Sequence, residues 1–373
     1  MNSRFGAYIL VLIYIQLILF HSVECCRFEK RFADLDSGRT FYTINEGDSR
    51  KRIVFVHGLL GDSFHFSEWR CIFSYIGYQV LAYDLLGHGQ TEWKLSGFFS
   101  QERFVAQLND LLKNIGWVNE RNEAENKFTL LGVSMGGLIS AKYALTYPSH
   151  LSNLILMCPP GMMSKDHFPS LYKLSKSEFV GLVKNIHRSK RVFKCGLNCA
   201  KKLGFVKMDK VPKEQKESVT EECHRTFSTY VKCGGEGSLF DRYSDFEDLS
   251  KHENSINIVF FWGIKDRTVP LAPAVEFLSQ HFNKTPIVVY PFVRHIPNYP
   301  LLSPALVTLD FLELNTTIGV PLGTVKNINY FYDNEVNIIN GINFTFQGDR
   351  VEIKYNTENY TQEYLDFNIT SSS

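Results

Sequence analysis

The sequence predicts an α/β fold in which a mostly parallel β-sheet is covered by helices on both faces. Six short runs of β-branched and aromatic residues are apolar along nearly their whole length, which is typical of strands buried on both sides. Segments with helical spacing lie between them, and one carries Phe104, Leu108 and Leu111. Buried strands that alternate with helices indicate a parallel sheet between two helical layers. The predicted strands are residues 52–57, 78–83, 127–132, 154–158, 256–262 and 286–292.

The composition is that of an ordinary globular protein. Of the 373 residues, 44% are hydrophobic, which is ample for a buried core. The 40 basic and 39 acidic residues nearly cancel, so the formal net charge is +1. A surface built to bind nucleic acid carries a large basic excess. We therefore expect no nucleic-acid partner, and any electrostatic function must be local.

The alternation of strands and helices defines the domain organisation. It occupies a first core segment at 25–160 and resumes in a second core segment at 251–315. Residues 161–250 interrupt it with a Lys-rich, mostly helical stretch, which we interpret as an insertion between two strands of the sheet. Residues 316–373 contain an Asn-Gly turn and a Gln-Gly-Asp turn between alternating apolar patterns. This pattern predicts a small C-terminal β-meander.

Residues 1–24 are predicted to be a signal peptide. Arg4 precedes an apolar stretch from Ala7 to Phe20, and a small residue, Ser22, follows. An uncleaved signal anchor is the alternative, because residues 5–23 are just long enough to span a bilayer. Both alternatives send the rest of the chain to the lumen, so we expect a secreted or lumenal protein, or one held at a membrane by its leader.

Sequons and cysteines fit that compartment. Five Asn-x-Ser/Thr sequons are candidate glycosylation sites. Four clustered cysteines favour two disulfides with three possible pairings, and a zinc site is the alternative. Cys158, in an apolar strand, is predicted to be a buried free thiol. The sequons are at Asn283, Asn315, Asn343, Asn359 and Asn368, and the clustered cysteines are Cys195, Cys199, Cys223 and Cys233.

The segment GVSMG, Gly132 to Gly136, follows a predicted strand and precedes a helix that should run from Met135 to the stop signal Pro148. In this context Gly-x-Ser-x-Gly forms a nucleophile elbow. The turn strains the backbone of Ser134, and glycines on either side avoid a collision between strand and helix. Ser134 is therefore the candidate nucleophile, although such a turn can also serve packing alone.

A serine nucleophile needs a histidine to take its proton and a carboxylate to orient that histidine. Asp266 follows one predicted strand and His295 follows the next. The order Ser, Asp, His is the one used by this architecture, and parallel sheets place their sites at the carboxyl ends of strands. As alternatives, Asp266 could be a turn residue and His295 a surface loop residue.

Backbone N–H groups near the elbow are candidates for an oxyanion hole. Met135 lies at a helix N-terminus, and Leu59 follows the strand that ends at His57 and Gly58. We expect His57 to be structural. Asp84 and His88, in the loop after the next strand, are likewise interpreted as loop-shaping residues rather than catalytic ones.

Together these motifs resemble the α/β-hydrolases, specifically the branch with monoacylglycerol-lipase-like and carboxylesterase-like members. The resemblance covers residues 38 to 315 and rests on HGLLG, DLLGHGQT, GVSMGG, WGIKDRTVP and RHIP. It implies that the insertion at 161–250 is a cap that lies over the active site and shapes the acyl pocket. The sequence departs from the family pattern at Arg294, where the family usually has Gly before the catalytic histidine, and the C-terminal meander has no counterpart in compact members.

The sequence thus predicts a serine hydrolase that cleaves carboxylic esters, such as the acyl esters of monoacylglycerols, through an acyl-enzyme. No metal or cofactor is expected. Thioesterases, carbon-carbon bond hydrolases and aminopeptidases share the same three residues and remain alternatives, as does a non-catalytic ligand-binding member of the fold.

The predicted cap carries a local charge excess. Between Lys165 and Lys216 there are 14 Lys or Arg and 4 Asp or Glu. Aromatic and aliphatic residues such as Phe168 and Phe179 lie among these charges, so the cap is a candidate surface for docking on a membrane or micelle. A solvated basic face is the alternative.

Overall fold

The computed structural model describes residues 28–92, 100–162, 242–263, 268–282 and 285–290, the single residues Asp266, His295 and Leu312, and six short strands after residue 326. The predicted leader and nearly all of the predicted cap lie outside these residues. No helix within the described part of the chain is both long and apolar enough to cross a bilayer.

The core is a twisted sheet whose central strands are parallel. Eight strands lie side by side in the order β1-β2-β4-β3-β5-β6-β7-β8. The pairs from β4 through to β8 are parallel, whereas β1 and β2 join as an antiparallel hairpin on the β4 edge. These strands are β1 Glu29–Leu35, β2 Gly38–Ile44, β3 Asp48–Val56, β4 Tyr78–Tyr83, β5 Phe128–Val133, β6 Leu151–Met157, β7 Asn257–Gly263 and β8 Ile287–Tyr290.

The helices follow from the connections. They are α1 Ser67–Tyr75, α2 Gln101–Asn114, α3 Met135–Thr146, α4 Tyr243–Ser250 and α5 Leu271–His281. Helix α1 connects β3 to its neighbour β4. Helix α2 connects β4 to β5, which lies on the other side of β3. Because crossovers between parallel strands are right-handed, α1 lies on one face of the sheet and α2 and α3 lie on the other. The predicted α/β fold with helices on both faces is confirmed.

Local sequence explains where α2 and α3 begin and end. The Ser100 side chain caps α2 by accepting a hydrogen bond from the Arg103 backbone N–H at 3.4 Å. The apolar residues at helical spacing in α2, including Phe104, Leu108 and Leu111, are buried. Helix α3 starts directly after Ser134 and ends before Pro148, which lacks the N–H that a continuing helix would need.

The strands at the centre of the sheet are enclosed on both faces. Every residue of β5 is buried, and the side chains of residues 53–56 and 154–157 have no exposed surface. The continuous apolar runs of the sequence therefore correspond to a strand layer between helices. This rigid layer fixes the positions of the loops that follow β3, β5, β6 and β7 at its carboxyl edge.

One long insertion between neighbouring strands matters for the site. Strands β6 and β7 are neighbours in space although residues 158–256 separate them, and the predicted cap falls within that stretch. Helix α4, at the end of the predicted cap, packs against α3 through a salt bridge between Lys142 and Asp245 at 2.8 Å and buries Phe246.

The C-terminal segment forms a second sheet. Strands β9 Asn327–Ile328, β12 Ile342–Gln347, β13 Arg350–Tyr355 and β14 Tyr364–Leu365 make a four-stranded sheet in the order β14-β13-β12-β9, with antiparallel pairs. The two short strands β10 Phe331–Tyr332 and β11 Ile338–Ile339 instead extend the main sheet beyond β8, which the sequence patterns did not indicate.

Candidate active site

The turn between β5 and α3 has the geometry of a nucleophile elbow. Ser134 has φ 53° and ψ −124°, a left-handed conformation that is strained for a residue with a side chain. A Cβ on Gly132 would collide with the Gly136 carbonyl, and a Cβ on Gly136 would collide with the backbone of β3. The two glycines therefore allow α3 to approach the sheet closely enough for this turn to form.

Backbone hydrogen bonds hold the strained turn in place. The Ser134 N–H donates to the Met157 carbonyl of β6 at 2.8 Å, and the Gly137 N–H donates to the Ser134 carbonyl at 2.8 Å. The serine is thus fixed to the neighbouring strand as well as to the helix that follows. Its side chain stays accessible, since Ser134 is half-buried while its neighbours on either side are buried.

A chain of hydrogen bonds links the three predicted polar residues. His295 Nε2 lies 3.0 Å from Ser134 Oγ, and His295 Nδ1 lies 2.7 Å from Asp266 Oδ2. An ionised carboxylate can only accept, so Nδ1 carries the proton and donates to Asp266. Nε2 is then left to accept the Ser134 hydroxyl proton, which is the tautomer that a general base requires.

Asp266, the acid of this hydrogen-bonded triad, is fully buried. The Asp266 side chain has no exposed surface, and its Oδ1 accepts two backbone hydrogen bonds, from Thr268 and Val269, both at 2.8 Å. Trp262 at the end of β7 braces the same loop, because its indole N–H donates to the Val269 carbonyl at 2.8 Å. These contacts fix the carboxylate behind the imidazole, whose side chain is 18% exposed.

The loop after β3 approaches the serine from the other side. A Cβ on Gly58 would lie 3.1 Å from the Ser134 Cβ, so glycine permits this contact. Leu59 follows directly, and the Gly61 N–H closes the loop by donating to the Gly58 carbonyl at 3.1 Å. Met135 is the first residue of α3, where a backbone N–H has no acceptor within the helix. Gly58, the residue before Leu59, therefore lies against Ser134, and Met135 follows Ser134 directly, so both predicted oxyanion donors belong to segments that adjoin the serine.

His57 supports this loop through two hydrogen bonds of its ring. Its Nδ1 donates to the Gly58 carbonyl at 2.7 Å, and its Nε2 accepts the Leu85 N–H at 3.0 Å. Complete burial lowers the pKa of His57 to about 4, so the ring is neutral at physiological pH. The imidazole joins two loops at the carboxyl edge of the sheet.

Asp84, in the loop after β4, accepts hydrogen bonds from the backbone of both loops. Its Oδ1 accepts from the Ser63 N–H and its Oδ2 from the Gln90 N–H, each at 2.7 Å. Burial raises the pKa of Asp84, while the two backbone donors lower it. Both oxygens are therefore engaged in shaping the loops, which agrees with the structural role inferred from the sequence.

The structure adds one residue that sequence reasoning did not associate with the site. Cys158, directly after β6, is buried and is not disulfide-bonded. Its thiol and one ligand atom each of Asp266 and His295 all lie within 4.8 Å of one another, the one such metal-capable group among the described residues. The signal was available, because β6 lies between the strands that precede Ser134 and Asp266, and Cys158 is the first residue after it.

Several predicted features fall outside the described residues and remain predictions. They are the cap between 163 and 241, Arg294, the four clustered cysteines, and the sequons at Asn283, Asn315, Asn359 and Asn368. Asn343 lies within β12. Cys71, which the sequence analysis did not single out, is disulfide-bonded.

A family model for the alpha/beta hydrolase fold matches residues 51–298, a range that contains Ser134, Asp266 and His295. The chain therefore belongs to the α/β-hydrolase family, and the resemblance inferred from its motifs is confirmed. It is a hydrolase of this fold, with esterases and lipases among its relatives.

Curated relatives match at modest identity. The uncharacterized hydrolase YugF of Bacillus subtilis is 23% identical over 242 residues, which is 65% of this chain and 82% of that protein. Monoacylglycerol lipase abhd6-B of Xenopus laevis is 27% identical over 117 residues, 31% of this chain and 32% of the lipase. Esterase Rv0045c of Mycobacterium tuberculosis is 29% identical over 111 residues, 30% of this chain and 34% of the esterase. The chain thus matches about a third of the length of the latter two.

Solved structures share the fold. A bacterial membrane phospholipase A described as a virulence factor superposes with a TM-score of 0.56 at 16% identity, covering 84% of this chain and 98% of that one. A putative lipase from Acinetobacter baumannii superposes with a TM-score of 0.52 at 17% identity, covering 81% and 97%. At such identities the likeness concerns the fold alone.

Proposed function

We propose that the protein hydrolyses carboxylic esters through a covalent acyl-enzyme. The observation that carries this proposal is the continuous chain from Ser134 through His295 to Asp266, with distances of 3.0 and 2.7 Å. Each member has the role that its contacts permit: a serine on a strained elbow attacks, an imidazole moves the proton, and an enclosed carboxylate orients the imidazole.

In the first half-reaction, Ser134 Oγ attacks the ester carbonyl carbon while its proton passes to His295 Nε2. The backbone N–H groups of Leu59 and Met135 are proposed to bind the resulting oxyanion. When the intermediate collapses, the ester C–O bond breaks and His295 returns the proton to the departing alcohol. The acyl group is then attached to Ser134 as a new ester.

In the second half-reaction, water replaces the alcohol. His295 Nε2 accepts a proton from water, whose oxygen attacks the acyl carbonyl, and the second oxyanion occupies the same hole. Collapse breaks the bond to Ser134 Oγ, which regains the proton, and the carboxylic acid leaves. The protein is unchanged after the cycle, and no redox partner is required.

We propose lipid acyl esters, with monoacylglycerols as the leading example, as the substrate class. Two observations support this choice: monoacylglycerol lipases and an esterase are among the relatives, and the predicted cap combines basic with apolar residues. We further propose that the cap docks the enzyme on anionic lipid, because such substrates are held in an interface.

Aminopeptidase activity is the second candidate. A proline iminopeptidase, PfmaB of Pestalotiopsis fici, is 29% identical over 128 residues, 34% of this chain and 42% of that protein. The same three residues can cleave an amide, so the two activities differ in the leaving group and in the pocket, which the predicted cap would shape.

A substrate panel tests the proposal on the purified full-length chain. Short p-nitrophenyl esters, monoacylglycerols, phospholipids and amino-acid amides are assayed side by side, with Ser134→Ala as the blank. We expect esters to be cleaved at least tenfold faster than amides, and monoacylglycerols to be cleaved faster in anionic than in neutral vesicles at low salt. Exclusive cleavage of amides would replace the ester proposal by the aminopeptidase, and vesicle rates indifferent to lipid charge and salt would remove the docking role of the cap.

A further inference from the structure

Cys158 occupies a strained position beside the acid and base of the site. It is the first residue after β6, has φ 39°, and is completely buried. Its backbone N–H donates to the Phe261 carbonyl of β7 at 2.8 Å, which ties the residue to the strand that leads to Asp266. A left-handed backbone is unfavourable for a residue with a Cβ, and such strain concentrates at functional positions. The proposed hydrolysis makes no use of this thiol.

The three side chains form a compact and chemically mixed donor set. The thiol of Cys158, a carboxylate oxygen of Asp266 and an imidazole nitrogen of His295 are within 4.8 Å of one another. In a tetrahedral zinc site, bonds of about 2.3 Å to sulfur and about 2.0 Å to nitrogen and oxygen place the donor atoms about 3.3 to 3.5 Å apart. The distances between the three donor atoms therefore need to shorten by at most about 1.5 Å for the atoms to surround an ion.

We propose that Cys158, Asp266 and His295 form an inhibitory binding site for a soft divalent cation, zinc or cadmium. Binding releases the Cys158 thiol proton to solvent and moves the His295 proton from Nδ1 to Nε2, so that the resulting thiolate, the Asp266 carboxylate and Nδ1 of the neutral imidazole bind the ion. Two negative ligands balance its charge of two, which favours a cation in this enclosed position. A thiolate selects zinc or cadmium over magnesium and calcium, which prefer oxygen.

Occupancy of this site stops hydrolysis. The ion takes the place of the hydrogen bond between His295 and Asp266, so the imidazole loses the partner that sets its tautomer and direction toward Ser134. The metal site itself follows from the donor geometry, whereas its inhibitory effect rests on the proposed function.

Zinc titration of ester hydrolysis tests the inhibitory effect. Each protein is compared with its own metal-free rate, using the full-length chain and Cys158→Ser, which keeps the shape but replaces sulfur with a harder donor. We expect zinc to abolish the wild-type rate, EDTA to restore it, and magnesium at the same concentration to have no effect. For Cys158→Ser, the zinc concentration that halves the rate should rise at least tenfold. Equal sensitivity of the two proteins overturns the proposal.

Cadmium binding tests the site without reference to any substrate. Because the chain has eight cysteines, the ultraviolet cadmium-thiolate absorbance is measured as the difference between wild type and Cys158→Ser. We expect the wild type to show the absorbance of one additional thiolate. A protein that cleaves no ester and still shows this difference refutes the proposed function while supporting the metal site, whereas no difference overturns the site.

Anomalous diffraction from cadmium-soaked crystals of the unaltered chain provides a measurement that does not depend on the folding of a variant. We expect a cadmium ion within bonding distance of the Cys158 thiol and an imidazole nitrogen of His295. Cadmium bound only at other cysteines, with this position empty, refutes the inference.

Discussion

At the scale of single residues, the catalytic role of an aspartate depends on whether its carboxylate contacts His295. Asp266 and Asp84 are both buried acids in loops at the carboxyl edge of the sheet, and both accept backbone hydrogen bonds. They differ in one contact: Asp266 uses its second oxygen for His295, whereas Asp84 uses both oxygens for the loop backbone. We infer that Asp266 has the catalytic role and Asp84 the structural one.

Asparagine substitution should separate these roles. In Asp266→Asn the amide can donate to the imidazole and favour the wrong tautomer, so we expect kcat to fall by about 10⁴-fold. Asp84→Asn places an amide group against a backbone N–H, so it should lower the melting temperature while the folded fraction keeps most of its activity. Kinetics and thermal unfolding of both variants provide the measurement, and a greater loss of kcat in folded Asp84→Asn would reverse the assignment.

His57 connects burial to the pH dependence of stability. Its pKa is lowered to about 4 in the folded chain, against about 6.5 in the unfolded chain, so between these values the unfolded state binds more protons. The contribution is complete above pH 6.5 and is lost as the pH falls toward 4, up to about 3 kcal/mol. We expect His57→Asn, which keeps a donor for Gly58, to show a shallower fall in unfolding free energy over this window. Equal slopes in urea titrations at several pH values would contradict this.

At the scale of elements, the elbow depends on the close approach of α3 to β3. A Cβ at Gly136 would meet the carbonyl oxygens of Val56 and His57, which are backbone atoms of β3 and its loop and cannot move without opening the sheet. The glycine in the motif is therefore a packing requirement between two elements, and the strain at Ser134 is sustained by that packing.

Gly136→Ala and Gly77→Ala form a matched pair for this idea. Gly77 has φ 94° with no atom within 4 Å of an added Cβ, so alanine there adds only backbone strain, about 1 to 2 kcal/mol. We expect Gly136→Ala to lower the free energy of unfolding by clearly more than Gly77→Ala does, because the added methyl group would also clash with backbone atoms in a tightly packed core. Urea denaturation measures both, and an effect of Gly136→Ala no larger than that of Gly77→Ala would refute the steric argument.

The elements also show what could be predicted from the sequence. Continuous apolar runs and the Gly-x-Ser-x-Gly turn sufficed for the central strands and for Ser134, since their causes are local. The order of strands was not accessible, because it depends on which buried faces meet. The β1 strand was missed because most of its residues are exposed. Cys158 was assigned to the core, because its proximity to Asp266 and His295 depends on how β6 pairs with its neighbouring strands, which the sequence does not reveal.

At the scale of the whole molecule, the leader, the sequons and the disulfide bear on the compartment in which the protein folds. The predicted leader and the sequons indicate the secretory pathway, and we propose that the protein folds there. The disulfide at Cys71 supports this proposal, because such bonds form and persist in oxidising compartments. The ring centre of Phe28, which follows Cys25 and Cys26 in the sequence, lies 4.8 Å from the guanidinium carbon of Arg70, the residue before Cys71.

Peptide mapping of the secreted protein under non-reducing conditions tests the compartment. We expect the Cys71 peptide to be linked to one that contains Cys25 or Cys26, so any cleavage of the leader falls before the linked cysteine. Glycosidase treatment should also increase gel mobility. A cytosolic protein with a reduced Cys71 and no glycan would contradict the proposal, and a Cys71 linked elsewhere would contradict only the pairing.

The most direct test of the central claim is the residue that a fluorophosphonate probe modifies. The probe reacts with a serine only when a base activates it and an oxyanion hole stabilises the adduct. We expect mass spectrometry to find a single adduct on Ser134, and Ser134→Ala, folded as judged by its thermal transition, to be unlabelled and to lose at least about 10⁴-fold in kcat/KM. A folded Ser134→Ala that is still labelled, or that still cleaves esters at the wild-type rate, would contradict the account.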